Sequence, residues 1–484
     1  MNTSQAYLVI DIGTGNVRVA VVAASGEILC VKRDNVHYQS DPLYPDALHF
    51  DPAGLWEQIG ALASASLKEA SGVEIVAVTA SSQREGVVLI DADGVPVIGL
   101  PNHDHRGREW EHIITDKHRV YQLTGRYPTS LFSALKIVAL AQRRPEITER
   151  FSTMVSISDW AQFCLTGIAG YEHSQASETI LYDVEKGEWS EELCHIFGID
   201  PGKLAPLRHS GSVLGPVLSG YVTRWGLAEG TPVVVGGADT QLAIKSTRPG
   251  VGDIVIVAGT TTPVIKIVPE YLLDTEERTW TNRHVEQGQF IFETNCGVTG
   301  LNYQRLKDIF YPNEAYQTIE DELDEVREPA CVASLGSLLA REKTPLTTGG
   351  FVIHTPVSHE LKRADFSWAV LWDIACAIRE NFDSLREAEG YDRDYVWACG
   401  GGMQSVHLRR FIAGLINKKV LIRKGYQQAS VTGGANICAD AMGSVLGGEQ
   451  ELETVEPQDQ ERYAQWFEKW RAVRGGFIRM AAGA

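Results

Sequence analysis

The sequence predicts a two-domain α/β protein whose halves share one plan, and three observations lead to this prediction. The chain has 484 residues, too many for one core, so two domains of roughly 200 to 250 residues are expected. A strand, a Gly-Thr turn and a second strand occur at 8–22 and again at 254–268. A short β-branched run at 233–235 precedes two glycines and the single carboxylate Asp239, as at the carboxyl end of a buried strand in an open α/β sheet.

Charge and cysteine content exclude several classes of protein. Lys plus Arg number 44 against 62 Asp plus Glu, which gives −18 and argues against a nucleic-acid partner. A small anionic ligand held by a few local groups is still compatible with this balance. No apolar run approaches membrane-spanning length, and the first residues lack a signal-peptide pattern. The eight cysteines are scattered without a C-x-x-C pair, so we expect reduced thiols and a cytoplasmic protein.

In the first half, apolar runs between Gly-rich turns predict strands, and capped amphipathic runs predict helices. Asp51-Pro52 begins a helix, with Asp as N-cap and Pro at the first helical position. Gly236 and Gly237 are expected to end the central strand, and a helix is expected from about Thr240. The predicted strands lie at 7–12, 17–22, 27–31, 75–80, 87–91 and 233–235, and further helices at 131–143 and 154–167, the last opening at Ser158-Asp159.

In the second half the same signals continue. The predicted strands lie at 254–258, 263–268, 395–399 and 420–422, and the helices at 368–381, 405–415 and 460–479. The acidic run 449–456 is expected to be a solvated connection. Arg248-Pro249-Gly250 is typical of a hinge, so we predict domains at 1–247 and 248–484.

Two Gly-Thr turns are candidate phosphate sites. The turn at 13–16 offers backbone N–H groups and a hydroxyl to an anion, Asp11 before it could hold Mg²⁺ through water, and Arg18 could reach a phosphate. The simpler interpretation is an ordinary hairpin with an exposed arginine. An arginine between Val17 and Val19 in an apolar strand weakens it. The turn at 259–262 repeats the pattern, and two such turns facing each other would bracket a polyphosphate.

Three other segments carry polar or glycine-rich patterns. The glycines at 400–402 would let a flat ring lie against the backbone, but the G-x-G-x-x-G of a Rossmann site is missing. The strand end 83–85, Gln-Arg-Glu, suits hydroxyl recognition because a polyol needs donors and acceptors together; the alternative is a surface ion pair. Two histidines at 102–106 lack further ligands for zinc.

Asp239 has two interpretations. Taken alone, it is best explained as the cap of the helix that follows. A carboxylate at a strand end, on glycines that allow close approach of a substrate, is equally the geometry of a catalytic base.

Seven motifs in order resemble those of the FGGY carbohydrate kinases: Asp11-x-Gly-Thr-Gly-x-x-Arg, Gln-Arg-Glu at 83–85, Asp104-x-Arg106, Ser158-Asp159, Gly-Gly-Ala-Asp-Thr-Gln at 236–241, Gly-Thr-Thr at 259–261 and Gly-Gly-Gly at 400–402. The resemblance runs from about residue 7 to about residue 447. It implies an actin-like ATPase (ribonuclease H-like) fold with the active site in the interdomain cleft. Within the family the motifs are most similar to those of the autoinducer-2 kinase branch.

The resemblance also implies roles for individual residues. Asp239 would be the general base, and Asp11 and Asp239 would act at Mg²⁺. The residues implied to contact the substrate are Gln83, Arg84, Glu85, Asp104 and Gln241. Those implied to surround ATP are Gly13, Thr14, Gly15, Asn16, Arg18, Gly259, Thr260, Thr261, Gly300, Gly400, Gly401 and Gly402.

The function implied is ATP-dependent phosphorylation of a primary hydroxyl on a small sugar or polyol, with autoinducer-2 as leading substrate and glycerol or xylulose as alternatives. No nucleic acid or membrane partner is expected, and the family suggests a homodimer. An alternative from another class is an actin-like nucleotide-binding interaction protein without sugar kinase activity. One departure is the segment 344–368, which is shorter than in most family members and bears on substrate identity.

Overall fold

The computed structural model describes residues 4–342, 346–447 and 451–482, and it confirms the two-domain α/β architecture. Each half contains one large mixed sheet with helices packed on it.

The strands and helices of the first half follow from the alternation of apolar runs, turns and caps in the sequence. The strands are β1 Ser4–Ile12, β2 Asn16–Ala23, β3 Ile28–Asn35, β4 Gln39–Ser40, β5 Leu48–His49, β6 Val73–Ser82, β7 Val87–Asp91, β8 Pro96–Leu100, β9 Phe151–Ser156, β10 Tyr171–Glu172, β11 Tyr182–Asp183, β12 Glu188–Trp189, β13 Leu207–Arg208, β14 Val213–Pro216 and β15 Pro232–Ala238. The helices are α1 Pro52–Glu69, α2 Lys117–Thr124, α3 Ser133–Arg143, α4 Pro145–Arg150, α5 Ile157–Thr166, α6 His173–Ala176, α7 Glu191–Phe197, α8 Ser219–Trp225 and α9 Asp239–Thr247.

The second half has the same mixture of elements. The strands are β16 Ile254–Val257, β17 Thr261–Val268, β18 Trp280–Arg283, β19 Phe290–Val298, β20 Cys331–Ser334, β21 Gly350–Ile353, β22 Tyr395–Cys399, β23 Lys419–Arg423 and β24 Leu452–Val455. The helices are α10 Gly300–Phe310, α11 Tyr316–Leu323, α12 Arg363–Glu389, α13 Val406–Ile416, α14 Ala429–Ala441 and α15 Gln460–Ala482. Short 3₁₀ turns lie at Arg108–Ile113, Pro201–Lys203, Gly401–Gln404 and Tyr426–Gln428.

The two large sheets repeat one topology. The first has the order β14-β15-β6-β1-β2-β3 and the second β18-β19-β17-β16-β22-β23-β24. In both, three antiparallel strands, β3-β2-β1 and β19-β17-β16, are followed by two parallel ones, β6 and β15 in the first sheet and β22 and β23 in the second; β18 adds a further antiparallel strand to the second sheet. The repeat noticed in the two Gly-Thr turns is therefore a repeat of the whole sheet.

Two helices join the halves. α14 comes from the second half of the sequence, but its Val431 and Ala435 share a buried cluster with Val9 and Val234 of the first sheet. α9 comes from the first half and buries Ala243 and Ile244 against the second sheet. The two helices cross so closely at Gly433 that a Cβ there would overlap the Leu242 backbone carbonyl.

Most predicted elements are present, with three corrections. The predicted helix at 154–167 is wrong at its start, because Phe151–Ser156 is a strand; Ser156 caps α5 by accepting from the Asp159 N–H. Gly236 and Gly237 do not end the central strand, which continues to Ala238. In the acidic run 449–456, residues 449 and 450 lie outside the described residues, and Leu452–Val455 is an edge strand paired with β23.

Candidate active site

The carboxyl ends of three neighbouring strands define the site. In the first sheet Asp11 of β1 lies opposite Ser81 of β6, and Gly237 of β15 lies opposite the same serine on the other side. Asp11, the segment 83–85 and Asp239 therefore emerge at one edge of the sheet. The sequence predicted each strand end separately, and the strand register brings them together.

Asp11 is fully buried in a network that spans both halves. Arg18, its cross-strand neighbour on β2, donates to Oδ2, and the Ser430 hydroxyl donates to the same oxygen at 2.9 Å. Ser81 Oγ donates to Oδ1 at 2.5 Å. Arg18 also donates to Gln428 Oε1 at 2.9 Å, so α14 and the turn before it hold this carboxylate from the second half.

The first Gly-Thr turn is held open toward solvent. Gly13 N–H donates to the Asn16 carbonyl at 2.9 Å, and Gly15 at the tip has no atom within 4 Å of where a Cβ would lie. The Thr14 hydroxyl pairs with the Asn102 amide at 2.9 Å. Gln83 supports the turn from behind, because its Nε2 donates to the Gly13 carbonyl at 3.3 Å and its Oε1 accepts from Asn102 N–H at 2.9 Å.

The second Gly-Thr turn lies against both other glycine segments. Gly259 and Thr260 are exposed, and a Cβ at Gly300 would overlap the Gly259 carbonyl. Gly400 has φ +96°, where a side chain is strained, and Gly402 N–H donates to the Ala258 carbonyl at 2.9 Å. The structure thus brings together the residues of the second half that the family resemblance implies to surround ATP. They are Gly259, Thr260, Thr261, Gly300, Gly400, Gly401 and Gly402.

Asp239 is the first residue of α9 and does not cap it. The N-cap position is Ala238, and the Asp239 carboxylate accepts from the N–H of its neighbour Thr240 at 2.6 Å and from the Thr240 hydroxyl at 3.2 Å. Burial, reinforced by the Asp11 charge, raises the pKa of Asp239 to about 6, while Arg84 opposes the rise. A carboxylate with this pKa can accept a proton near neutral pH.

A buried glutamate supports the backbone just before Asp239. Ala238 N–H donates to Ser174 Oγ at 3.0 Å, and Ser174 donates to Glu172 Oε2. Ser210 Oγ donates to the other Glu172 oxygen at 2.7 Å. The position of the Asp239 backbone is therefore fixed by hydrogen bonds as well as by the sheet.

Arg84 is buried among three carboxylates. Its guanidinium donates to both oxygens of Glu293 on β19, at 2.8 and 2.9 Å, across the two halves. Glu178 and Glu85 carboxylate oxygens lie 3.8 and 3.9 Å from Arg84 nitrogens. Although burial opposes the charge, these three carboxylates hold the pKa of Arg84 well above its ordinary value.

Two other residues predicted to contact the substrate, Glu85 and Asp104, are buried near Lys136. Glu85 has a left-handed backbone, φ 59°, and its carbonyl accepts from Lys136 Nζ at 2.9 Å. Asp104 accepts from Arg106 Nε at 2.7 Å and from Leu48 N–H at 3.0 Å, so both of its oxygens already have protein partners. Burial lowers the pKa of Lys136 to about 8, against the opposing charges of Asp104 and Glu85.

The site fits a magnesium ion that keeps several waters. Asp11 and Asp239 are close enough for the charge of one to raise the pKa of the other, and both offer the oxygen ligands that Mg²⁺ prefers. Within the described ranges no group of three or more His, Cys, Asp and Glu side chains forms a closed metal cage. Mg²⁺ bound through one or two carboxylates and phosphate oxygens needs no such cage.

Sequence reasoning missed several residues of this site. Glu293 directly follows the apolar run Phe290-Ile-Phe. A charge beside apolar strand residues is the signal that drew attention to Arg18, and it could have identified Glu293 as well. Glu178, Ser174 and Ser430 carry no such signal, because they lie in segments whose place in the site depends on tertiary packing.

Two models of one protein family match most of the chain. The model of the FGGY family of carbohydrate kinases, N-terminal domain, matches residues 6–245, and that of the C-terminal domain matches residues 254–442. A protein of Bacillus subtilis named "Putative sugar kinase YoaC" is 47% identical over 99% of this chain and 98% of its own length. Autoinducer-2 kinase of Salmonella paratyphi B is 27% identical, covering 96% of this chain and 93% of its own.

Solved structures share the fold. The structure of Plasmodium falciparum glycerol kinase with ADP aligns with a TM-score of 0.84 at 19% identity, over 98% of each chain. The likeness confirms the actin-like ATPase fold that the motifs implied. Among the helices of the described residues, none has the length and apolar character needed to cross a membrane.

Proposed function

The chain belongs to the FGGY family of carbohydrate kinases, phosphotransferases with an alcohol acceptor, and from this premise we propose that it transfers the γ-phosphate of ATP to a primary hydroxyl of a small sugar or sugar-like polyol. The leading substrate is autoinducer-2, 4,5-dihydroxypentane-2,3-dione. Glycerol and a ketopentose such as xylulose are the alternatives.

One observation carries the proposal. Asp239 lies at the same sheet edge as Asp11, and its pKa is raised to about 6 by burial and by the Asp11 charge. A base with this pKa is ionised at neutral pH and still basic enough to accept the proton of a substrate hydroxyl. A basic carboxylate beside a second carboxylate suited to Mg²⁺ is an arrangement that phosphoryl transfer uses. It therefore favours the interpretation of Asp239 as a catalytic base over its interpretation as a helix cap.

Each group would then have a task. Asp239 would orient the substrate hydroxyl and accept its proton, and Asp11 would hold Mg²⁺ together with Asp239. The N–H groups of the turns at 13–16 and 259–261 would bind phosphate oxygens, with the glycines 300 and 400–402 beside the nucleoside. Bound Mg²⁺ supplies neutralisation of the phosphate charge. Arg84 would orient the substrate oxygens, and holding the reacting groups in the right geometry lowers the activation barrier.

The choice of substrate rests on relatives and motifs. Relatives named autoinducer-2 kinase are 27% identical, and a 47% identical relative is named only as a sugar kinase. The Gln-Arg-Glu strand end and the Asp104-x-Arg106 pair favour autoinducer-2 over a ketopentose. Glycerol is the next candidate, because glycerol kinases also carry Gln-Arg-Glu at this strand end.

The test measures ADP release with a sugar panel in the wild type and in Asp239→Asn. We expect release that depends on one sugar and falls by about 10²- to 10⁴-fold in the variant, since the general base is removed. Asp93→Asn, an exposed carboxylate in a turn, is the matched control and should leave the rate unchanged. ATP hydrolysis that is independent of sugar and equal in Asp239→Asn would contradict the proposal and favour a nucleotide-dependent interaction protein.

A further inference from the structure

Four buried side chains lack the hydrogen bonds that buried polar groups normally make. Within the described part of the chain, every side-chain nitrogen and oxygen of these four residues is buried and makes no hydrogen bond: Arg126, Glu178, Gln241 and Asn282. Each is at most 1% exposed. Buried polar groups without partners cost free energy, and native proteins keep them where a ligand or a function requires them.

Two of the four, Arg126 and Glu178, lie together beside Arg84. A Glu178 oxygen is 3.8 Å from Arg84 Nη1, and the other is 2.5 Å from Arg126 Nη2. Glu178 is therefore an ion-pair partner of both arginines, but the geometry satisfies none of its hydrogen-bonding positions. Of the other two side chains, Gln241 lies on α9 two residues after Asp239.

The second half of the chain closes this cluster. The Arg126 guanidinium lies over the Trp280 ring at 4.7 Å. Trp280 of β18 is directly opposite Glu293 of β19, the residue that binds Arg84. Asn282 is two residues beyond Trp280 and so lies on the same face of the hairpin. These groups thus extend from Arg84 through Glu178 and Arg126 to β18.

We propose that Arg126, Glu178 and Asn282 line the far end of the sugar site and bind the hydroxyl or keto oxygens of a neutral substrate that are remote from the hydroxyl being phosphorylated. This inference rests on the proposed kinase function and specifies its substrate class. Arg126 offers donors, Glu178 offers acceptors and Asn282 offers both, which is the set that a polyhydroxylated or keto compound requires.

The charge of the cluster argues for a neutral substrate. Two cations, Arg84 and Arg126, face the carboxylates of Glu85, Glu178 and Glu293, so no positive charge is left over for an anion. The Lys136 ammonium does not supply one either, because it donates to the carbonyls of residues 85, 101 and 102. An aldonate would bring its carboxylate to a buried site with no spare positive charge to pair with it.

The first test is Asn282→Ala, with Asn381→Ala as the matched control. Asn381 is also buried, but its amide donates to the Leu338 and Ala377 carbonyls at 2.9 Å each. For Asn282→Ala we expect KM for the accepted sugar to rise about tenfold or more, with kcat within about threefold. Its Tm without ligand should be equal to or above wild type, because an unsatisfied buried amide is removed. Asn381→Ala should lower Tm and leave KM unchanged.

The result that overturns the inference is a lower Tm with an unchanged KM in Asn282→Ala, which is the behaviour of a structural asparagine. Binding calorimetry on the Asp239→Asn protein separates this from failure of the kinase proposal, because it needs no turnover. We expect a neutral sugar to bind at least tenfold more tightly than its aldonate, and Asn282→Ala in that background to weaken binding of the neutral sugar by about tenfold. Equal or tighter binding of the aldonate would refute the substrate class, whereas absence of sugar-dependent ADP release would refute the kinase proposal instead.

Discussion

The ion pair between Arg84 and Glu293 makes a quantitative prediction about how the two halves are held together. The pair is bidentate, with N–O distances of 2.8 and 2.9 Å, and the two side chains are 8% and 0% exposed. Breaking a buried pair by removing one charge costs about 3–5 kcal/mol, because the other charge stays buried without compensation. In Glu293→Gln, one acceptor remains and Glu178 and Glu85 lie nearby, so we expect a loss at the lower end, about 3 kcal/mol.

The assay is urea unfolding followed at equilibrium, combined with a double-mutant cycle using Arg84→Met. Residues in direct contact should show a coupling energy of about 0.5–3 kcal/mol, measured as the departure of the double variant from additivity. Glu389→Gln is the control, because its pair with Lys266 is 3.5 Å long with a glutamate that is 36% exposed, and exposed pairs contribute about 0–1 kcal/mol. A Glu293→Gln protein as stable as wild type, or a cycle with zero coupling, would refute the argument.

Two further predictions concern the base and the helix crossing. Because Asp239 must be ionised to accept a proton and its pKa is raised to about 6, kcat/KM should be constant above pH 7 and fall as the pH drops through 6, reaching about a tenth of its plateau at pH 5; a pH–rate profile with its acid limb near pH 4 would contradict this. Gly433→Ala should destabilise the protein by about 1–3 kcal/mol or more in urea unfolding, because its Cβ would overlap the Leu242 backbone carbonyl, which cannot rotate away. Gly220→Ala, at a helical glycine with open space around it, should be neutral or stabilising, and a similar result at Gly433 would show that α9 and α14 can separate freely.

The sequence by itself determined the elements whose signals are local. The strand runs, the Asp51-Pro52 helix start and the two Gly-Thr turns are decided by backbone preferences and side-chain alternation within a few residues. The same holds for the order of the motifs, which was enough to indicate the family and the fold. The errors were also local: Phe151–Ser156 and α5 share one apolar run, in which strand and helix cannot be separated by periodicity alone.

Only the tertiary structure decided which side chains meet. Arg84 and Glu293 are 209 positions apart, and they meet because α14 packs on the first sheet and α9 on the second, which joins the two halves. The same packing buries the Arg126–Glu178 ion pair beside Arg84 and the Asn282 amide without a hydrogen bond. Contacts of this kind depend on strand register and on the crossing of α9 with α14, and no window of sequence contains that information. The sequence therefore determined which side chains are available for chemistry, and the packing of the two halves decided which of them meet.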